Sequence, residues 1–140
     1  MRFGDSSALI PLLIREQSSD AMRAILRDDR RIAASVITPI EIESALWRRR
    51  HHGEMDAEQH MSAEEMFAEL TASWSEIADI ISTQRIALDL LSRHTLRAAD
   101  AIQLATAIVA SNATAGSLPF VTLDHALAAA ARAEGFTVLK

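Results

Sequence analysis

Apolar side chains follow two alternating patterns along this chain. Short apolar runs predict strands over 2–4, 31–36, 74–78, 118–122 and 137–139. Longer segments, in which apolar residues recur every three or four positions, predict helices over 6–15, 19–28, 38–52, 56–71, 82–94, 96–110 and 125–134, with a loop over 112–117. Short apolar strands that alternate with helices predict an α/β fold, a sandwich of helices around a mostly parallel central sheet.

Residue types set several of the predicted helix boundaries. Thr38 has the side chain of an N-cap, Pro39 suits the first helical position, and Glu41 can close a capping box with Thr38. Gly53 is expected to end that helix. Pro11 is expected to break or bend the first helix, because its ring interferes with helical hydrogen bonding.

Four carboxylates stand where the pattern otherwise predicts buried apolar structure: Asp5, Glu41, Asp100 and Asp124. Asp5 and Asp124 directly follow predicted strands, and ligands of open α/β sheets bind beyond the carboxyl ends of their strands. Asp100 lies inside an almost wholly apolar helix. Clustered carboxylates repel one another, and a hard divalent cation with oxygen ligands would allow them to coexist. This grouping predicts a metal-dependent hydrolase that cuts a phosphodiester.

Each acid also has a purely structural interpretation, except Asp100. Asp5 and Asp124 could be N-caps of the helices that follow them. Glu41 could serve only the capping box with Thr38. Glu43 competes with Glu41 for the functional position, because it lies two residues away, although its neighbourhood predicts a solvated side chain.

Composition narrows the class of protein. The chain has 140 residues, which predicts a single domain over 1–140, and it is 49% hydrophobic with no cysteine, so thiolate metal sites are excluded. A net charge of −5 counts against a general DNA coat but not against an enzyme that reaches phosphates through metal ions. The apolar run near the start is too short for a membrane span, so a cytoplasmic protein without membrane contact is expected.

One basic, partly aromatic segment covers 47–52, with the sequence WRRRHH. Cations at the end of a helix complement its dipole, which is the structural interpretation of this segment. The functional interpretation is a rim that contacts phosphates, with Trp47 as a stacking surface or a partner contact.

Four segments in this order resemble the PIN-domain ribonucleases, and among them the VapC-like toxins of type II toxin–antitoxin systems. The segments are FGDSSALIPLL, VITPIEIESALWRR, LRAADAIQLATA and FVTLDHALAAAARAEGFTVL. The third is the most specific, and together they span essentially the whole chain. The resemblance therefore implies a PIN-like α/β/α sandwich.

The resemblance also implies an activity, a cofactor and partners. It implies an endoribonuclease in which Asp5, Glu41, Asp100 and Asp124 are catalytic and hold one or two Mg²⁺ or Mn²⁺ ions. Ser7 and Thr122 correspond to family positions that support the acids through hydrogen bonds, a weaker match than that of the four acids. The implied partners are an RNA substrate, a cognate antitoxin protein and a second copy of the chain in a homodimer.

Three other functions compete with the toxin. A nuclease of the same fold could act in RNA maturation or on single-stranded DNA without an antitoxin. A phosphoryl-receiving signalling domain needs an acidic pair near the first strand and a lysine after a late strand, but Asp5 has no such pair and Lys140 is the only lysine. A catalytically silent binding module would not require all four acids.

Overall fold

The computed structural model describes residues 1–113 and 118–140, which form seven helices and five strands. The strands are β1 (Arg2–Gly4), β2 (Ile32–Ser35), β3 (Ser75–Ile77), β4 (Phe120–Val121) and β5 (Val138–Leu139). The helices are α1 (Ser6–Leu13), α2 (Ser19–Asp28), α3 (Thr38–His51), α4 (Ala57–Ser73), α5 (Ile80–Arg93), α6 (Ala98–Ala113) and α7 (His125–Ala133). Every predicted helix and strand is present among the described residues.

The strands form one sheet in the order β3-β2-β1-β4-β5, and every strand pair in the described part of the chain is parallel. β1 lies at the centre, where Phe3 aligns with Ala33 of β2 and with Phe120 of β4. The α/β prediction with a mostly parallel sheet is therefore confirmed, and the described sheet is wholly parallel.

Successive side chains of a strand point to opposite faces, so the sheet separates two apolar cores. Phe3, Ala33 and Phe120 belong to the core beneath α5, α6 and α7. Ile32 and Val121, each one position along its strand, belong to the core beneath α1, α2, α3 and α4. The result is three layers, with helices on both faces of the sheet.

The predicted capping box at the start of α3 is wrong. The N-cap position belongs to Ile37, without a side-chain capping bond, and the Thr38 side chain turns instead toward α6. A real capping box starts α4, where Asp56 Oδ1 accepts from the Gln59 amide and Gln59 Oε1 accepts from the Asp56 amide.

Helix ends show two further outcomes. Gly53 follows α3 with φ of 72°, a left-handed conformation that glycine adopts without a Cβ clash, as expected for the residue that ends the helix. Pro11 lies inside α1 without ending it at once, and the helix continues to Leu13. Asn112 and Ala113, predicted to be in a loop, belong to α6; the remaining residues of that predicted loop, 114–117, lie outside the described residues.

The order of the strands creates a crevice at one edge of the sheet. From β1 the chain passes to β2 on one side, while β4 pairs with β1 on the other side. Where the chain connections from two adjacent parallel strands run to opposite sides of the sheet, a crevice opens beyond the carboxyl ends of those strands. Here the two strands are β1 and β4, and ligands of such folds bind in this crevice. Asp5 follows β1 and Asp124 lies three residues after β4, so both stand at this crevice.

No helix in the described ranges combines the length and the apolar character needed to cross a bilayer.

Candidate active site

Asp5 is a buried acid at the centre of the crevice. Only 3% of the Asp5 surface is exposed to solvent. Asp5 occupies the N-cap position of α1 without a capping hydrogen bond of regular geometry, although the backbone amides of Ser7 and Ala8 approach its carboxylate. Ser7 Oγ donates to Asp5 Oδ1 at 2.9 Å. Burial raises the pKa of Asp5 to about 7, although hydrogen bonds from Ser7 and Thr122 oppose that rise.

Hydroxyl groups connect the ends of β1 and β4 around Asp5. Ser7 Oγ lies 3.2 Å from Thr122 Oγ1 and accepts from the Leu123 amide at 2.9 Å. Thr122 Oγ1 accepts from the Asp124 amide at 3.1 Å. Ser7 and Thr122 thus lie beside the acids, at the positions that the family resemblance indicates.

Asp124 combines the two interpretations that its sequence position allows. Its Oδ1 accepts from the Leu127 amide at 2.7 Å, so it is the N-cap of α7. It also lies near enough to Asp100 for its negative charge to contribute to the raised pKa of Asp100. Asp124 can therefore cap α7 and still belong to the group of crevice acids.

Glu41 lies in the first turn of α3 and reaches toward α6. Gln103 Nε2 donates to Glu41 Oε2 and, at 3.0 Å, to Thr38 Oγ1. Burial raises the pKa of Glu41, the charge of Asp100 adds to the rise, and hydrogen bonds from Gln103 and Ser6 oppose it. Glu41 is thus the acid of α3 that lies beside the crevice.

Glu43 points elsewhere. Its carboxylate lies beside His60 and Glu64 of α4, and it is half-buried rather than solvated as the sequence suggested. Of the two glutamates between which sequence spacing did not decide, Glu41 is the one that lies near Asp100.

Asp100 is the third residue of α6 and is half-buried at the same edge of the sheet. Burial is the main cause of its raised pKa, followed by the charge of Asp124, while the backbone and the charge of Arg97 oppose the rise. Asp100 therefore interacts electrostatically with Glu41 on one side and with Asp124 on the other.

The four predicted acids lie around one crevice, and their chemistry fits a hard divalent ion. All four offer carboxylate oxygens, the ligand type that Mg²⁺ prefers. Asp5 is buried without a cationic partner in the described part of the chain, which a bound cation would relieve. No three of these acids bring their oxygens within 4.8 Å of one another among the described residues. Mg²⁺ usually keeps several waters and can be held by one or two carboxylates, so it does not require three acids in direct contact.

Gln103 was not identified from the sequence. It is 1% exposed, lies three residues after Asp100 on the same side of α6, and holds Glu41 and Thr38 together. A long amide side chain within an apolar helix is the signal that could have found it, because a buried amide needs polar partners.

The basic segment at the end of α3 lies away from the acids. Arg49 forms an ion pair with Glu16, and Trp47 packs against His51 and His60. Arg49 lies eight positions after Glu41 on the same helix, about 12 Å along its axis. The basic residues in the last turn of α3 complement the helix dipole, as expected from the structural interpretation of the 47–52 segment.

No protein-family profile and no curated protein sequence matches the chain. Solved structures do match its fold. FitAcB from Neisseria gonorrhoeae superimposes with a TM-score of 0.71 at 17% sequence identity, covering 100% of this chain and 97% of the other. VapC20 from Mycobacterium tuberculosis, a sarcin–ricin loop cleaving toxin, gives a TM-score of 0.65 at 18% identity, with 100% of both chains covered.

PAE2754 from Pyrobaculum aerophilum gives a TM-score of 0.62 at 21% identity, covering 92% of this chain and 78% of the other. At such identities the likeness concerns the path of the chain and not its activity. The observed architecture, five parallel strands with helices on both faces, is the one that these structural neighbours share. The chain has the PIN-domain fold.

Proposed function

We propose that this protein is a Mg²⁺- or Mn²⁺-dependent endoribonuclease and the toxin of a type II toxin–antitoxin pair. The observation that carries the proposal is the set of acids at the crevice: Asp5 is buried, and Glu41, Asp100 and Asp124 follow one another as electrostatic neighbours. Structure alone gains nothing from placing like charges together, because each raises the free energy of the others.

The structural neighbours support the choice of substrate. Among them, VapC20 is a toxin that cleaves the sarcin–ricin loop. RNA is accordingly the substrate class that we propose for this chain. We also propose a cytoplasmic site of action, since cellular RNA substrates of a toxin are found there.

In this proposal Asp5, Glu41, Asp100 and Asp124 hold the metal. A divalent ion at such a site makes water a better nucleophile and stabilises a leaving oxygen, so no nucleophilic side chain is required. The chain's own residues do the positioning. Ser7 and Thr122 fix Asp5 at the meeting point of β1 and β4, and Gln103 fixes Glu41.

Two protein partners belong to the same proposal. An antitoxin is proposed because the sequence resembles the VapC-like toxins and because VapC20, a structural neighbour, is a toxin. A homodimer is proposed with the second copy on α5, which exposes four large apolar side chains to solvent: Ile80, Ile81, Leu88 and Leu91. Exposed apolar patches of this kind mark interaction surfaces.

Metal removal tests the activity. We expect the purified protein to cleave a structured RNA with Mg²⁺ or Mn²⁺, and we expect EDTA to stop cleavage, since the acids then repel one another with no ion between them. Cleavage is followed on gels with end-labelled RNA. Single-stranded DNA of the same sequence is the matched substrate: cleavage of DNA alone would favour the nuclease without an antitoxin, and cleavage that persists in EDTA would contradict metal dependence.

A substitution of Gln103 by leucine tests how Glu41 is positioned. Without the amide, Glu41 loses a hydrogen bond that favours its charged form, and the buried Thr38 hydroxyl loses a partner. We expect the Mg²⁺ concentration at half-maximal cleavage to rise about 10–100-fold, the usual effect of losing a group that orients a metal ligand. Gln17→Leu, at an exposed position between α1 and α2, is the control and should leave the Mg²⁺ requirement unchanged. An unchanged requirement in Gln103→Leu would refute the positioning role.

A further inference from the structure

A second group of metal-ligating side chains lies between α3 and α4, apart from the crevice acids. Glu43 of α3 and both His60 and Glu64 of α4 each place one ligand atom within 4.8 Å of the other two. Within residues 1–113 and 118–140 this is the only group of three His, Asp or Glu side chains that approach so closely. His60 is 6% exposed, and the two glutamates are half-buried.

The distances match those around a small metal ion. His60 Nε2 lies 3.0 Å from Glu64 Oε1. Two ligand atoms that are each about 2.1 Å from an ion, at an angle of about 90–110°, lie about 3.0–3.4 Å apart. The ligand atom of Glu43 lies within 4.8 Å of the other two, so a shift of its carboxylate toward them would complete three positions of a tetrahedral site.

The imidazole ring is held in place before any ion binds. His60 and Glu64 are four residues apart on α4, so helix geometry alone puts them side by side. The ring of Trp47 meets His60 edge-on, with ring centroids 4.3 Å apart and an interplanar angle of 85°. A fixed ring loses little conformational entropy on binding an ion, which favours binding.

Two carboxylates in this group lack a permanent positive partner. No arginine or lysine in the described part of the chain forms an ion pair with Glu43 or Glu64; the one basic group beside them is His60. Two like charges within 4.8 Å repel. A cation bound between them removes this repulsion.

We propose that Glu43, His60 and Glu64 bind a transition-metal ion, with Zn²⁺ the best fit, that ties α4 to α3. One imidazole nitrogen with two carboxylate oxygens is a donor set for Zn²⁺ and related first-row ions, whereas Mg²⁺ prefers oxygen alone. The site is separate from the crevice acids, which offer only oxygen. Its role is structural, because the ion would fasten α4 to the helix that carries Glu41 two residues earlier.

Thermal unfolding with and without Zn²⁺ tests this proposal independently of RNA cleavage. We expect about 100 µM Zn²⁺ to raise the Tm of the full chain by at least about 5 °C, since an ion that binds only the folded state stabilises it. His60→Asn and Glu64→Gln should lose this rise. Each variant is compared with itself in EDTA, so a lower starting Tm does not affect the result. Mg²⁺ in place of Zn²⁺ should give no rise that depends on His60.

His51→Asn is the matched control, because His51 also packs against Trp47 but lies outside the group. It should keep the full Zn²⁺ response. Cu²⁺ as a spectroscopic probe gives a second readout: electron paramagnetic resonance should show coupling to an imidazole nitrogen that His60→Asn abolishes and His51→Asn retains. An equal Zn²⁺ response in the wild type and His60→Asn, or none in the wild type, would overturn the proposal. Loss of RNA cleavage by itself would bear only on the crevice acids.

Discussion

Substitution of Asp100 by asparagine is expected to lower RNA cleavage at least about 100-fold without unfolding the protein, because the proposed metal loses a charged ligand while the side chain keeps its shape. Asp100 is half-buried beside Asp124, and its pKa is raised mainly by burial. Removing its charge therefore relieves repulsion in the metal-free protein. Cleavage rates with saturating Mg²⁺ measure the first effect, and Tm in EDTA measures the second.

The two readouts separate a catalytic role from a structural one. Glu65→Gln removes the same charge from an exposed position on α4 and should leave both the rate and the Tm unchanged. A rate for Asp100→Asn within a few-fold of the wild type would remove Asp100 from the proposed site. A large fall in Tm would show instead that the carboxylate stabilises the fold.

A second large effect is expected from Asp5→Asn on stability without metal. The folded-state pKa of Asp5, about 7, lies above its ordinary value of 3.8, so the folded state binds the proton more tightly than the unfolded state. The contribution of Asp5 to stability is fully present below pH 3.8 and is lost as pH rises through 7. The loss approaches about 4 kcal/mol, since each pKa unit corresponds to about 1.4 kcal/mol.

Asparagine has no charge to bury, so in EDTA the variant should become more stable relative to the wild type as pH rises from 5 to 8, the interval in which Asp5 ionises. Urea unfolding at each pH gives the difference in free energy of unfolding. Asp20→Asn, which alters an exposed acid, controls for general charge effects. Mg²⁺ should reduce the advantage of the variant at pH 8 by stabilising the wild-type carboxylate. A difference that does not change with pH would show that Asp5 is not titrating in this interval.

The crevice could be predicted because the residues that mark it are recognisable from their immediate neighbours in the sequence. A short apolar run followed at once by an acid marks a strand end, and a parallel sheet brings such ends to one edge. That reasoning placed Asp5 and Asp124 correctly beside β1 and β4. Asp100 was recognisable for a similar reason, as a charge within an otherwise apolar helix.

Long-range contacts explain what the sequence did not reveal. Thr38 and Glu41 have the residue types and spacing of a capping box, yet both bond to Gln103, more than sixty residues further along the chain. A partner so distant leaves no local pattern. His60 and Glu64 are visible as a helical pair, but Glu43 joins them only because α3 packs beside α4.

The borders of the sheet bear on how copies of this protein can associate. β5 pairs with its neighbour over two residues and is followed by Lys140, while β3 pairs over three and carries Glu76. Brief, charged outer strands offer an incoming chain few backbone groups to bond, which discourages the runaway stacking that leads to fibrils. Association is thereby directed to helical surfaces, where side-chain shape and not backbone pairing selects the partner.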